Sequence, residues 1–307
     1  MTDEDHKTDA PAPDPSPRRV PSVWPAFIAF VVAMALSQVA AIIVGVCIVV
    51  WFLATGGNAQ RLATDLPALL VSTPVFITLL LASQGGLFVT TLAAARLAPV
   101  PLRGGLGFVH PGLPVWGYLV LVLGSFFPLI AGVAVFEAAS QVMPMDQSLG
   151  SAFEQVTPGG GMGLVLFMAL VPGFVEEAFF RGYIQRRLLA RWPAWAAIIV
   201  TAGLFGLMHF YPANIAFAFV MGLWLGVVAW RTGSVWPAAL CHAAVNATSG
   251  VGNLGARFGI IPDPIPDVAV GGVITLALAC FLASMWLLKR GLQTQMGDSG
   301  VAEEVTC

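Results

Sequence analysis

Charge is what this sequence has least of. Of its 307 residues only 10% are Asp, Glu, Lys or Arg, while 58% are hydrophobic; soluble globular proteins carry about 25% charged and about 45–50% apolar residues. So few charges cannot cover a water-exposed surface. That excludes an ordinary cytosolic enzyme, a nucleic-acid binder and a disordered chain, and leaves a polytopic membrane protein. The formal net charge of −2 favours neither an acidic nor a basic partner. Cysteine is scarce too, at four, and no two form a C-x-x-C pair, so neither a zinc knuckle nor a disulfide scaffold is indicated. Lysine occurs only at Lys7 and Lys289 against twelve arginines, the usage of a GC-rich bacterial genome. H-E-x-x-H, G-x-S-x-G and paired membrane aspartates are all missing, which removes zincin-type, serine and aspartyl chemistry. Nor is there an internal repeat of the kind from which transporters are built.

What is present is a series of apolar runs. Residues 1–22 stand apart, with Asp3, Glu4, Asp5, Asp9 and Asp14 alternating with prolines in a tail too polar to bury anything. Stretches of about 20 apolar residues cross a bilayer. They are predicted at roughly 24–53, 68–95, 113–139, 161–185, 194–210, 213–230, 235–251 and 268–288. The expected fold is therefore all-α, an eight-helix membrane domain over 23–290 followed by a short tail at 291–307. Pro67, Pro74, Gly85 and Gly86 make the second span the one most open to division.

With the amino terminus in the cytoplasm, the cytoplasmic segments would hold Lys7, Arg18, Arg19, Arg96, Arg103, Arg186, Arg187, Arg191, Arg231, Lys289 and Arg290. The opposite side would hold only Arg61 and Arg257. That asymmetry follows the positive-inside rule and predicts a cell-membrane protein with both termini cytoplasmic.

Ionisable groups inside spans are costly and mark functional positions. Here they gather in three of the later runs: Glu176, Glu177 and Arg181, then His209, then His242 with Asn246. Glu177 and Arg181, four apart, share a helix face and can neutralise each other. Glu176 lies about 100° around the helix and points elsewhere. Phe205 and His209 share a face, as do His242 and Asn246. The turn at Trp192-Pro193 is equidistant from Glu176 and His209, each about 25 Å along its helix, so the two are expected to face each other. Glu176 and His242 also lie at matched depth below Arg186 and Arg231.

A glutamate with two histidines activates water in one of two ways. Glu176, His209 and His242 could ligate Zn²⁺ and leave a position for water. Alternatively, the glutamate acts as a general base aided by a histidine, and the other polar groups stabilise an oxyanion. Either scheme describes amide hydrolysis. A structural ion pair, interhelical hydrogen-bond glue at Asn246 and a proton relay for transport are the competing readings.

The ordered set Glu-Glu-x-x-x-Arg at 176–181, Phe-x-x-x-His at 205–209 and His-x-x-x-Asn at 242–246 resembles the three motifs of the type II CAAX prenyl endopeptidases, a family of intramembrane proteases. The similarity covers about residues 160–250. It implies an eight-span helical fold with a cavity open to the cytosol. It further implies that Glu176 and His209 activate water, that His242 and Asn246 stabilise the oxyanion, and that Glu177, Arg181 and Phe205 support them. Zinc and a metal-free glutamate route both remain open under it. The implied partners are membrane lipids and a peptide or lipidated protein substrate, with no nucleic acid. Bacterial members are also associated with bacteriocin processing or immunity, so a non-proteolytic membrane scaffold or immunity protein is the alternative.

Overall fold

A computed structural model describes residues 22–98, 105–146, 148–262 and 266–304. The expected amino-terminal tail lies outside these residues except for Ser22, and so does Cys307. Among the described residues there is no strand.

Twelve α-helical segments and one π-helical segment are needed to place the site. They are α1 (Trp24–Ala54), α2 (Ala59–Val71), α3 (Thr73–Arg96), α4 (Val115–Gly124), α5 (Phe126–Ser140), α6 (Ser148–Glu154) and α7 (Pro158–Glu177). The π segment Ala178–Gln185 follows, then α8 (Arg186–Leu189), α9 (Ala194–Leu207), α10 (Pro212–Thr232), α11 (Val235–Arg257) and α12 (Asp267–Glu304). Local chemistry explains several boundaries. Proline stands in the first turn of α1, α3, α7 and α10, where a missing N–H costs nothing. Gly233 ends α10 at φ 63°, and the next residue, Ser234, caps α11 by accepting from Trp236 N at 3.2 Å.

Among the described residues six helical stretches are long and apolar enough to cross a membrane: 24–54, 73–96, 115–140, 158–189, 212–232 and 267–290. The sequence reading expected eight. Of the other two, α9 is 14 residues long, about 21 Å, short of a hydrocarbon core of about 30 Å. The 23-residue α11 has the length, but His242, Asn246, Thr248, Ser249 and Asn253 dilute its hydropathy. Both adjoin or carry expected site residues. The second expected span is divided at Ser72, whose extended backbone separates the polar-faced α2 from α3. The last helix continues past the expected start of the tail at 291.

Close helix approaches fix the frame. Along α7 and α11 the contacts run antiparallel, with Gly161 against Leu254, Gly250 against Val165 and Gly173 against Ala243. A Cβ at Gly173 would lie 3.1 Å from the Ala243 nitrogen, so a larger residue there would separate the two helices beside the site. Helix α3 sits as tightly on α1: a Cβ at Gly86 would lie 2.7 Å from the Ser37 Cα, and Ser37 Oγ donates to the Ser83 carbonyl at 2.8 Å.

Candidate active site

Helix α7 delivers both glutamates at its last two positions. Pro172, one turn earlier, has no N–H, so the Met168 carbonyl loses its donor within the helix. Asn246 Nδ2, from α11, donates to that carbonyl at 3.0 Å. One amide hydrogen of Asn246 is thus spent repairing the proline break, an interhelical glue role, and the other is left over.

Glu177 is fully buried, and its Oε1 accepts two hydrogen bonds, from Arg181 Nη1 at 2.6 Å and from His242 Nδ1 at 3.0 Å. An ionised carboxylate only accepts, so His242 must donate through Nδ1 and present Nε2 to the other side. That Nε2 lies 4.0 Å from Glu176 Oε2. The second oxygen of Glu177 has no hydrogen-bond partner among the described residues.

Arg181 reaches across to α10, donating through Nη2 to the Gly222 carbonyl at 3.1 Å, while its guanidinium lies 4.5 Å from the centre of the Phe205 ring. Gln185 repeats the reach one turn later, donating to the Gly226 carbonyl at 2.8 Å. Glycine at both positions lets the helices close. A Cβ at Gly222 would lie 3.0 Å from Ala202, and one at Gly226 2.9 Å from Gln185 Oε1. The π segment begins directly after Glu177 and holds both reaching side chains; such wide turns inside helices are frequent at functional sites.

His209 sits in the turn after α9, where Phe210 adopts φ 59°, a left-handed conformation that a bulky residue rarely takes. His209 Nδ1 lies 3.0 Å from the Phe205 carbonyl, which makes it the donor and leaves Nε2 free to point away. The Phe205 ring meets both imidazoles edge-on, that of His209 at 5.3 Å and that of His242 at 5.7 Å between centres. His209, His242, Asn246 and Phe205 line one cavity of about 40 Å³, enough for more than one water molecule.

The expected residues therefore fall into two linked groups. Glu176, Glu177, Arg181 and His242 form a buried polar chain. His209 and Asn246 meet His242 at the cavity, and among the described residues no hydrogen bond or ion pair joins His209 to Glu176. The sequence reading missed one member. Gln84, on α3, donates through Nε2 to Glu176 Oε1 at 2.8 Å, and both side chains are buried. A search for ionisable residues passes over a neutral amide. The available signal was the polar pair Ser83-Gln84 ahead of Gly85-Gly86 in an otherwise apolar helix.

Among the described residues no three His, Cys, Asp or Glu side chains are grouped closely enough to hold a metal ion. His242 donates through Nδ1 to Glu177, which leaves its Nε2 open toward Glu176 at 4.0 Å, while His209 lies against the Phe205 ring with Nδ1 on the Phe205 carbonyl.

Comparison with known families agrees with the motifs. Residues 158–248 match the family model described as Type II CAAX prenyl endopeptidase Rce1-like. The matched segment runs from the start of α7 into α11 and contains all seven motif residues; Gln84 lies outside it. No curated protein and no solved structure matches the chain.

Proposed function

We propose that this chain is an intramembrane endopeptidase that hydrolyses peptide bonds in a membrane-associated or lipidated peptide or protein, with water activated by Glu176. The observation that carries the reading is the gap of 4.0 Å between Glu176 Oε2 and His242 Nε2. It is too long for a direct hydrogen bond and suits a water that bonds to both atoms. Glu177 holds the imidazole in one tautomer, as a buried carboxylate does for a catalytic histidine elsewhere.

In the first step the water oxygen attacks the scissile carbonyl carbon, and its proton passes to Glu176. The carbonyl π electrons move to oxygen and form the oxyanion. The second amide hydrogen of Asn246 is a donor for that oxyanion in every protonation state, and His242 and His209 become Nε2 donors when doubly protonated. The proton on Glu176 then passes to the nitrogen as the C–N bond breaks, leaving a carboxylic acid and an amine. Every transfer uses side chains of this chain alone, so activity on a cleaved peptide is expected to survive exhaustive chelation. Stoichiometric zinc whose removal abolishes turnover would overturn that expectation.

The decisive experiment offers membrane-anchored and lipidated peptides to the purified protein and follows cleavage by mass spectrometry. Cleavage by the wild-type chain supports the reading. Absence of cleavage across the panel, with a folded protein, favours the scaffold or immunity alternative.

The eight-span topology in the cell membrane, with both termini cytoplasmic, is part of the same proposal. In it α9 and α11 join the six long, apolar stretches, and the arginine and lysine asymmetry supplies the orientation. Single cysteines introduced at 56–58 and at 258–262 are expected to react with a membrane-impermeant thiol reagent from outside the cell. Labelling of either loop from the cytoplasmic side alone would refute the topology.

A further inference from the structure

The polar chain of the site does not end at Glu176. We infer that Gln84, on α3 and outside the matched segment, is a positioning residue that pins one oxygen of the Glu176 carboxylate so that the other is presented to His242. The inference rests on the peptidase reading for its catalytic part and on geometry for the rest.

Three observations carry it. Gln84 Nε2 donates to Glu176 Oε1 at 2.8 Å, and Oε2 of the same carboxylate is the oxygen that lies 4.0 Å from His242 Nε2. The two oxygens are therefore divided between two tasks. A carboxylate on a long side chain otherwise rotates about its last torsion, which is broad and roughly two-fold, and exchanges its oxygens.

Second, Gln84 is badly placed for a residue kept only for packing. It is buried, and its own carbonyl oxygen Oε1 has no hydrogen-bond partner among the described residues, a cost that a methionine or leucine on the same helix would not incur. Retaining a half-satisfied amide there is the pattern of a site that trades stability for chemistry.

Third, the backbone beneath Gln84 is held on both sides. The preceding residue's carbonyl accepts from Ser37 Oγ at 2.8 Å, and Gly86 brings α3 against the α1 backbone at Ser37. Helix α1 thus sets where α3 lies, α3 sets where the amide lies, and the amide sets the carboxylate.

The test measures kcat and KM for a peptide the wild-type chain cleaves, using the full chain in detergent. Gln84→Met keeps the volume and removes the donor. Its kcat is expected to fall by about 10- to 100-fold, in the range of a lost hydrogen bond to a charged group, with KM within about twofold of wild type. In a Glu176→Gln background the same change is expected to cost nothing further, since Gln84 acts through the carboxylate. Wild-type kcat in Gln84→Met, a loss confined to KM, or full additivity with Glu176→Gln would each overturn the inference. If Gln84→Met does not fold, Gln84→Asn withdraws the amide by one methylene and is read in the same way.

A melting-temperature cycle separates this inference from the peptidase reading. In a Glu176→Leu chain Gln84 has lost its partner, so Gln84→Met is expected to raise the melting temperature more there than in the wild type. Equal shifts in the two backgrounds refute the contact. Unequal shifts in a chain that cleaves nothing leave Gln84 bound to Glu176 and remove the peptidase reading instead.

Discussion

Glu176→Gln is expected to lower the turnover of a cleaved peptide by about 10²-fold or more, with folded yield and melting temperature close to wild type. The substitution keeps the shape and the buried environment and removes only the capacity to take a proton. The carbonyl of the new amide can still accept from Gln84, so the side chain keeps its anchor. Substrate binding is expected to persist, which places the loss in kcat. Steady-state kinetics together with a binding measurement on the inactive chain check both halves. Wild-type turnover in Glu176→Gln would remove Glu176 from the chemistry.

The largest effect on stability is expected at Arg181. Its guanidinium and the Glu177 carboxylate are fully buried, 2.6 Å apart, and among the described residues no other arginine or lysine pairs with Glu177. Arg181→Ala leaves that carboxylate without its arginine and the Gly222 carbonyl without its donor. Breaking a buried pair from one side costs about 3–5 kcal/mol, comparable with much of a domain's net stability. Folded yield in detergent is expected to collapse. Replacing both partners, as in Glu177→Leu with Arg181→Met, removes the stranded charge and is expected to restore much of the yield. Activity is not expected to return with it, because His242 then has nothing to fix its tautomer. Normal yield for Arg181→Ala with selective loss of turnover would place Arg181 in the chemistry and not in the frame.

Much of this arrangement was legible in the sequence, and the exceptions have physical causes. The ion pair of Glu177 and Arg181 follows from their spacing, and the contact survives although a π segment starts between them. Helix periodicity also placed Glu176 away from that pair. It could not say that Glu177 serves His242 as well, because that bond joins residues 65 positions apart on different helices. The hairpin geometry set Glu176 and His209 face to face, and among the described residues no hydrogen bond or ion pair joins them. The i,i+4 spacing set Phe205 beside His209, and only the fold shows that the same ring also lies against the imidazole of His242. The span count suffered where polar function dilutes hydropathy: α11 carries the site's imidazole and amide, and α9 is cut short before His209 by the strained turn at Phe210. Gln84 was invisible for a simpler reason. An amide has no charge, and only packing shows which residue it meets.

The pairing of Glu177 with Arg181 inside a single helix bears on how such a helix reaches the bilayer during synthesis. Two adjacent acids would enter hydrocarbon carrying two charges, yet a counter-ion four residues on leaves the continuous stretch 158–189 with one of them unpaired by Arg181. The remaining acid, Glu176, finds its neutral partner on α3, which leaves the ribosome earlier. His242, on α11, arrives last and joins a carboxylate that is already neutralised. In chain order Arg181 stands four residues from Glu177, so that pair can form within one helix before His242 on α11 is made.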